Sequence, residues 1–553
     1  MKKIIALLVV FSMMLTLLVA PAYAAGSIDY GQVLQQAIYF YECQQAGPLP
    51  DWNRVQWRDD ATMNDYVQGG WYDAGDHVKF NLPMSYTAAM LGWALYEYGD
   101  GFDAVGQKDE MENNLRFVLD YLVDCDKGDS YVYQVGDGND DHCWWGPVEL
   151  IEKEMERPYF ETDEASACIA ESAAALAIGS IVLDDSTYLQ HAESLFELAD
   201  TKRSDDGYTA ASGFYNSWSG FYDELMWAST WLYVATNDSS YLTKAEGYYP
   251  YLGTEPQTTT VAYKWAHCWD DVHNGALLML AKLTDNPQYH EDTQRWLDYW
   301  TVGYNGEQVA YTSGGLAWMS QWGSLRYATT TAFLASVYAD SITDATLKDR
   351  YNSFAKTQID YALGDNPQDF SYVVGLTDNS PEHPHHRTSQ GSWIDNMNTP
   401  ETARHILYGA LVGGPDSAVD GSYEDTVSDY ICNEVACDYN AGFVGILAKM
   451  CDLYGGTTSS NFPVPEIPED EFFVEASINQ ASSTYSEYKL LMNNRSGWPA
   501  RTIKNLSMKL FLDLSEAIDA GYSADDITVS TNYVEFPVTL SPVTQYQDDI
   551  YYV

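Results

Sequence analysis

Asp73 and Asp76 stand three positions apart in Gly69-Gly70-Trp71-Tyr72-Asp73-Ala74-Gly75-Asp76-His77. The small residues between them leave room for a water molecule, and Trp71 offers a flat ring on which a sugar could stack. Hydrolysis by paired carboxylates is one chemistry this spacing allows. A calcium loop or a helix cap is another, because acids on a Gly-rich turn serve both purposes. Cleavage of a glycosidic bond needs an acid for the leaving oxygen and a carboxylate that attacks carbon or activates water. The best partner acid is Glu434 in Ile431-Cys432-Asn433-Glu434-Val435-Ala436, where apolar neighbours would raise its pKa and keep it protonated. Taken alone, Glu434 reads more readily as a helix N-terminal carboxylate. Pro384-His385-His386-Arg387 sets donors on a rigid X-Pro turn, suited to sugar hydroxyls or to a metal.

These groups must be held by helices. From residue 28 to residue 454 apolar residues recur at three- and four-residue spacing, in about a dozen segments separated by loops of uneven length. Helices are expected over residues 85–98, 110–123, 164–182, 223–235, 271–283, 287–300, 324–339, 347–363 and 440–453. They alternate in kind. Glu171-Ser172-Ala173-Ala174-Ala175-Leu176-Ala177 and Asn440-Ala441-Gly442-Phe443 are small and apolar nearly all round, whereas 110–123 and 287–300 are amphipathic. The first kind belongs inside and the second outside, which predicts two concentric rings of helices; a stacked solenoid fits the periodicity nearly as well. The chemically interesting loops sit just ahead of the small-residue helices, so parallel inner helices would collect them at one end.

Composition narrows the partners. With 28 Lys and Arg against 80 Asp and Glu, the net charge of −52 repels phosphate backbones and anionic lipid, so nucleic acid and membrane surfaces are excluded as partners. A neutral polymer feels no such repulsion, and 44 Tyr and 17 Trp suit a groove where rings stack on pyranose faces. Met1-Lys2-Lys3, an apolar run from Ile4 to Val19 and Pro21-Ala22-Tyr23-Ala24 read as a secretory signal over residues 1–24, which predicts a secreted, extracellular protein. Eight Cys in so long a chain do not make a disulfide scaffold, although Cys125 and Cys143 flank a loop with His142 and could pair or bind a metal. Gly455-Gly456-Thr457-Thr458-Ser459-Ser460 and Pro463-Val464-Pro465 mark a linker over 456–470. Beyond it, residues 472–478, 488–493, 506–513 and 527–533 read as strands.

Together these segments resemble the glycoside hydrolase family 9 cellulases. Ser371-Tyr372-Val373-Val374 through Pro384-His385-His386-Arg387 carries one family pattern, and Tyr423, Asp425, Tyr430, Glu434, Asn440 and Ala441 fit the other. The resemblance covers nearly all of residues 28–454. It implies an all-α (α/α)6 barrel over 25–455, acting as an endo-β-1,4-glucanase on cellulose or another β-1,4-glucan with inversion. Asp76 would be the base for the attacking water, Asp73 would help hold that water, and Glu434 would be the acid. His385 and Arg387 fall on substrate-binding positions of the motif, His385 beside the catalytic carboxylates. Asp425 belongs to the same signature and is expected to support the Glu434 loop. His142, Trp145, Tyr215, Trp218, Trp265, Trp322, Arg326, Tyr327 and Tyr439 match cleft positions that would line glucosyl subsites.

Ser219, Gly220, Asp223 and Glu224 match the family's calcium loop, with Asp270 the distant ligand, so a structural Ca²⁺ and no organic cofactor are implied; hard oxygen donors suit that ion. The zinc pattern of some relatives is broken here, because Trp144 follows Cys143. Residues 471–553 resemble the start of a family 3 carbohydrate-binding module of the c type, ending about half way through its antiparallel β-sandwich. Such modules favour processive cutting. A monomer is expected, and association with a cellulosome is not visible in the chain. Another β-glucan, such as xyloglucan or mixed-linkage glucan, and a noncatalytic glucan-binding role are the alternatives, since fold and carboxylates do not fix the sugar.

Overall fold

The computed structural model describes residues 28–284 and 286–553; the leader expected over 1–24 lies outside them. Among the described residues twelve helices have ten residues or more. In chain order they are α1 (Tyr30–Cys43), α2 (Asn81–Ala104), α3 (Lys108–Cys125), α4 (Ser166–Val182), α5 (Ser186–Lys202), α6 (Tyr222–Thr236), α7 (Ser239–Tyr248), α8 (His273–Thr284), α9 (Pro287–Thr301), α10 (Ser324–Ser341), α11 (Ala345–Ala362) and α12 (Cys437–Tyr454). The even-numbered helices other than α12 each pack on the next even-numbered one, and α12 closes back on α2. Six inner helices therefore form a closed ring inside six outer ones, the two concentric rings that the alternation of helix types predicts and the (α/α)6 barrel that the family resemblance implies.

The ring closes because its helices are thin. A Cβ on Gly442 of α12 would lie 2.3 Å from Thr330 Oγ1 of α10, and one on Gly101 of α2 would lie 2.2 Å from the Ala448 carbonyl of α12. Polar residues on these all-buried faces answer one another across the seam: Ser85 of α2 and Ser172 of α4 share a 2.8 Å hydrogen bond, which removes the cost of burying two hydroxyls. Along the axis Trp93 of α2, Trp227 of α6 and Phe333 of α10 are fully buried, with Trp93 5.2 Å from Trp227 and 5.4 Å from Phe333. Each such aromatic pair is worth about 0.5–1.5 kcal/mol beyond its burial. This plug leaves the helix ends as the place for a polymer.

The two rings start their helices differently. Outer helices other than α3 are capped by acids or amides: Asp29 accepts from Gly31 N–H at 3.1 Å, Asp185 from Thr187 N–H at 2.9 Å, and Asn286 from Gln288 N–H at 3.1 Å. Inner helices α2, α4, α6, α10 and α12 begin without a side-chain cap. Their first turns instead donate to the loops around the site, as Leu325 N–H does to the Gly413 carbonyl at 3.0 Å, and carry the positive end of the helix dipole toward those loops.

The chain divides into two compact units, the first ending at Ala500 and the second running from Arg501 to Val553. Residues 457–466 lie along the outer helix α1: Thr457 N–H donates to Asp29 at 2.8 Å, Ser459 N–H to Gln35 at 2.9 Å, and Phe462 packs edge-on against Tyr39 at 5.1 Å. An antiparallel hairpin, Phe472–Ala481 with Ser486–Asn494, follows in the same unit. In the second unit Phe511–Asp513, Ile550–Tyr552 and Thr544–Gln547 form a three-stranded antiparallel sheet with Ile550–Tyr552 in the middle. The strand expected over 527–533 is not formed. Its residues alternate correctly but have no neighbouring strand to pair with, and the sheet instead uses residues 544–552.

Candidate active site

The turn ahead of α2 fixes Asp76. Its Oδ1 accepts from Ala74 N–H and its Oδ2 from Val78 N–H, each at 3.2 Å, while Asp73 N–H closes the turn on the Val78 carbonyl at 3.0 Å. Glycine is required at position 75, because a Cβ there would lie 2.1 Å from the His385 carbonyl oxygen. That close approach stitches in a second loop, with Arg387 N–H donating to the Gly75 carbonyl at 3.0 Å. A third loop joins through a parallel bridge between His385 and Glu434, and the Cys437 N–H at the start of α12 donates to the Asp73 carbonyl at 2.9 Å. Three segments distant in sequence are thus locked backbone to backbone around two carboxylates.

Burial, followed by the negative charge of Asp76, pushes Glu434 up to about 8, although Arg387 and the Gly75 N–H pull it down. Near neutral pH it holds its proton, as an acid for a leaving oxygen must. Asp73 is buried and raised well above the ordinary carboxylate range by that burial and by Asp76, and it accepts the Tyr215 hydroxyl. His385 donates from Nδ1 to the Val427 carbonyl at 2.6 Å, and burial lowers it to about 4. The ring is therefore neutral, with Nε2 left as an acceptor. Arg387 lies 5.2 Å over the Trp145 ring. Asp425 takes Glu382 N–H at 2.8 Å, His383 N–H at 3.1 Å and Asn433 Nδ2 at 3.1 Å, which ties the His-His-Arg loop to the Glu434 loop without reaching the carboxylates.

The remaining expected groups gather at the same helix ends. Arg326 of α10 donates to Asp438 at 2.8 Å and to the Tyr327 hydroxyl at 2.7 Å, and its guanidinium lies 4.8 Å over Tyr439. Trp265 faces Tyr327 at 5.4 Å, Trp322 faces Tyr430 at 5.7 Å, and His142 lies 5.1 Å from Phe214. Trp218 is 70% exposed and Trp322 43% exposed, so these two present open faces for a sugar. Trp71 does not. Gly69 and Gly70, both at positive φ, turn its ring inward against Tyr41 at 4.8 Å, and it is fully buried. Sequence reasoning missed Trp269, 4.8 Å from Tyr215, and the buried acids Asp141 and Asp438, which pair with Arg387 and Arg326. The available signal was adjacency, since each acid directly precedes an expected cleft residue.

A second acidic constellation lies at the start of α6. Asp223 accepts from Val272 N–H at 3.0 Å, and burial together with the charge of Asp271 pushes it up to about 7. Glu224 is raised further by burial and by Asp223; its Oε1 accepts from Ser217 at 3.2 Å, and its Oε2 is buried with no hydrogen-bond partner. Ser219 Oγ meets the Asp270 backbone carbonyl at 2.5 Å. Asp270 turns its carboxylate to Cys268 Sγ at 3.0 Å, so it offers the loop its carbonyl and not its side chain. Two adjacent buried carboxylates, an orphaned oxygen and hydroxyl and carbonyl donors fit a hard divalent cation. Cys125 and Cys143 do not pair: all eight thiols are free, Cys125 buried beside Asn81 and Cys143 exposed.

Against known proteins, the family profile described as Glycosyl hydrolase family 9 matches residues 30–447, and one described as Cellulose binding domain matches residues 473–553. Endoglucanase B of Cellulomonas fimi is 48% identical over 542 residues, covering 94% of this chain, which spans 51% of that protein's length. Endoglucanase A of Bacillus pumilus is 46% identical over 545 residues, covering 94% of this chain and 81% of its own length. The crystal structure of endoglucanase CelQ from Clostridium thermocellum complexed with cellotriose superposes with a TM-score of 0.92 at 62% identity, covering 95% of this chain and 88% of that one. With its barrel, its carboxylate loops and these relatives in agreement, the chain belongs to glycosyl hydrolase family 9.

Proposed function

We propose that this chain, an inverting endo-β-1,4-glucanase, cuts internal bonds of cellulose with Asp76 as base and Glu434 as acid. Water bound between Asp73 and Asp76 attacks the anomeric carbon from the face opposite the leaving oxygen. Asp76 takes the water's proton while Glu434 delivers its own to the leaving oxygen, and the anomeric configuration inverts. The single observation that carries this division is Glu434 held protonated, at about 8, opposite an Asp76 carboxylate pinned by two backbone N–H groups. Tyr215 orients Asp73. His385 and Arg387 grip sugar hydroxyls, and Trp145, Trp218, Trp265, Trp322, Tyr327, Tyr439, His142 and Arg326 line the subsites.

Ser219, Gly220, Asp223, Glu224 and the Asp270 carbonyl would hold a calcium ion. Bound there, the ion supplies charge neutralisation that ties the Tyr215–Trp218 loop to the start of α8. We further infer that the protein is secreted, acts as a monomer, and uses residues 473–553 to stay on its glucan, which favours processive cutting. Among the described residues no helix is long and apolar enough to cross a membrane. The test of the acid is Glu434→Gln, which should keep cellulose binding and lose reducing-sugar release; full activity would sink the assignment. Proton NMR of the first product should show the α anomer, and an initial β anomer would overturn inversion.

A further inference from the structure

The base turn faces a third carboxylate that the proton transfers and sugar contacts above do not use. Asp141 ends the short helical turn Gly138–Asp141, which is started by the Asp137 side chain, and it is 1% exposed. Asp76, Asp141 and His142 each bring a carboxylate or ring atom within 4.8 Å of the others. Asp141 Oδ1 accepts the His77 N–H at 3.3 Å and lies 3.6 Å from Arg387 Nη1. Its Oδ2 has no hydrogen-bond partner and stands 3.9 Å from His77 Nδ1. The other ring nitrogen of His77 meets Thr388 Oγ1 at 2.9 Å, one residue beyond Arg387. One carboxyl group therefore touches the residue next to the base and also the guanidinium that faces the sugar. Leaving one of its oxygens buried and unbonded carries a desolvation cost that no hydrogen bond offsets. Local rules are broken in this way mainly where a site makes use of the break.

We propose that Asp141 is the positioning residue of the hydrolytic base: its carboxylate holds Arg387 and the His77 end of the base turn in register, and its charge keeps that turn avid for the proton of the attacking water. This rests on Asp76 being the base. Burial and the charge of Asp76 push Asp141 up to about 6, while Arg387, Arg157 and His142 pull it down. The groups facing it are Asp76 and His77 from the base turn, Arg387 from its own short helix, His142 from the adjoining segment, and Arg157. Near neutral pH a proton leaving water enters a site that carries two negative charges, which favours its abstraction. A neutral residue at 141 weakens that pull and lets the site stay unprotonated to lower pH.

Asp141→Asn separates charge from shape, because the amide oxygen still accepts from His77 N–H while the ion pair with Arg387 is lost. The acid limb of the kcat/KM profile on cellotetraose should move down by about one pH unit. At pH 7 kcat should fall about tenfold, with KM within about twofold and the thermal midpoint undiminished. Asp141→Glu keeps the charge and should keep the limb in place. An unmoved limb in Asp141→Asn, or the same downward move in Asp141→Glu, overturns the proposal; if Asp141→Asn does not fold, the glutamate variant alone decides. Asp76→Asn, run in parallel, tests the underlying reading separately, because an active Asp76→Asn enzyme removes the base assignment whatever position 141 does.

Discussion

Replacing Glu434 with Gln should abolish turnover and yet make the protein more stable above mildly acidic pH. An unfolded Glu releases its proton near 4.5, whereas the folded residue keeps it to about 8. Between those values the folded chain holds the extra proton, so this residue's contribution to stability falls as pH rises and is fully lost above the folded value. At 1.36 kcal/mol for each pH unit above 4.5, the residue destabilises the fold by about 3 kcal/mol at pH 7, and by nothing at pH 4 where both states are protonated. Gln has no proton to hold and still offers an acceptor to Gly75 N–H. For a domain of this size, scaled from about 2.1 cal/mol/K per residue, the gain is about 3 °C in thermal midpoint at pH 7. Scanning calorimetry of wild type and Glu434→Gln at pH 4 and pH 7 measures it directly. An equal difference at both pH values, or a less stable variant at pH 7, would refute the idea that a strained protonation state is stored in the site.

Two further outcomes follow from the loops. Gly75→Ala places a methyl carbon 2.1 Å from the His385 carbonyl, so either the base turn or the His385–Arg387 loop must shift by about an ångström; kcat should drop about a hundredfold with unchanged far-ultraviolet dichroism, and wild-type turnover would show that the close approach is dispensable. Chelation with EGTA should lower the thermal midpoint by several degrees, because Asp223 and Glu224 are left side by side in the interior, and added Ca²⁺ but not Mg²⁺ should restore it; an unchanged melting curve would remove the ion from the loop.

Features that repeat or cluster along the chain are legible in its residues alone. The inner helices announce themselves because a closed ring needs faces without bulk, and Gly442 against Thr330 shows that need in a single contact. Asp76 and Glu434 stand out as candidates because each sits in a short segment whose neighbours suggest its chemistry, and the fold brings the two segments together. Asp141 is not. It lies among Asp137, Asp140 and many other acids of a chain with 80 of them, and only the helical turn that brings it between His77 and Arg387 sets it apart. Asp270 is obscure in a different way: its oxygen chemistry marks it as a donor, yet whether it offers carboxylate or carbonyl is decided by Cys268, two positions away, drawing the side chain off. Trp71 reads as a platform for a sugar because aromatic type is visible in a sequence and burial is not; two positive-φ glycines turn it inward. In all three cases the missing information is the direction of a side chain. That direction comes from backbone turns whose partners lie far along the chain, such as the meeting of Gly75 with His385. A hydrolytic site of this kind is therefore legible in its identities and illegible in its orientations, and the orientations are what set Glu434 and Asp141 away from ordinary carboxylates.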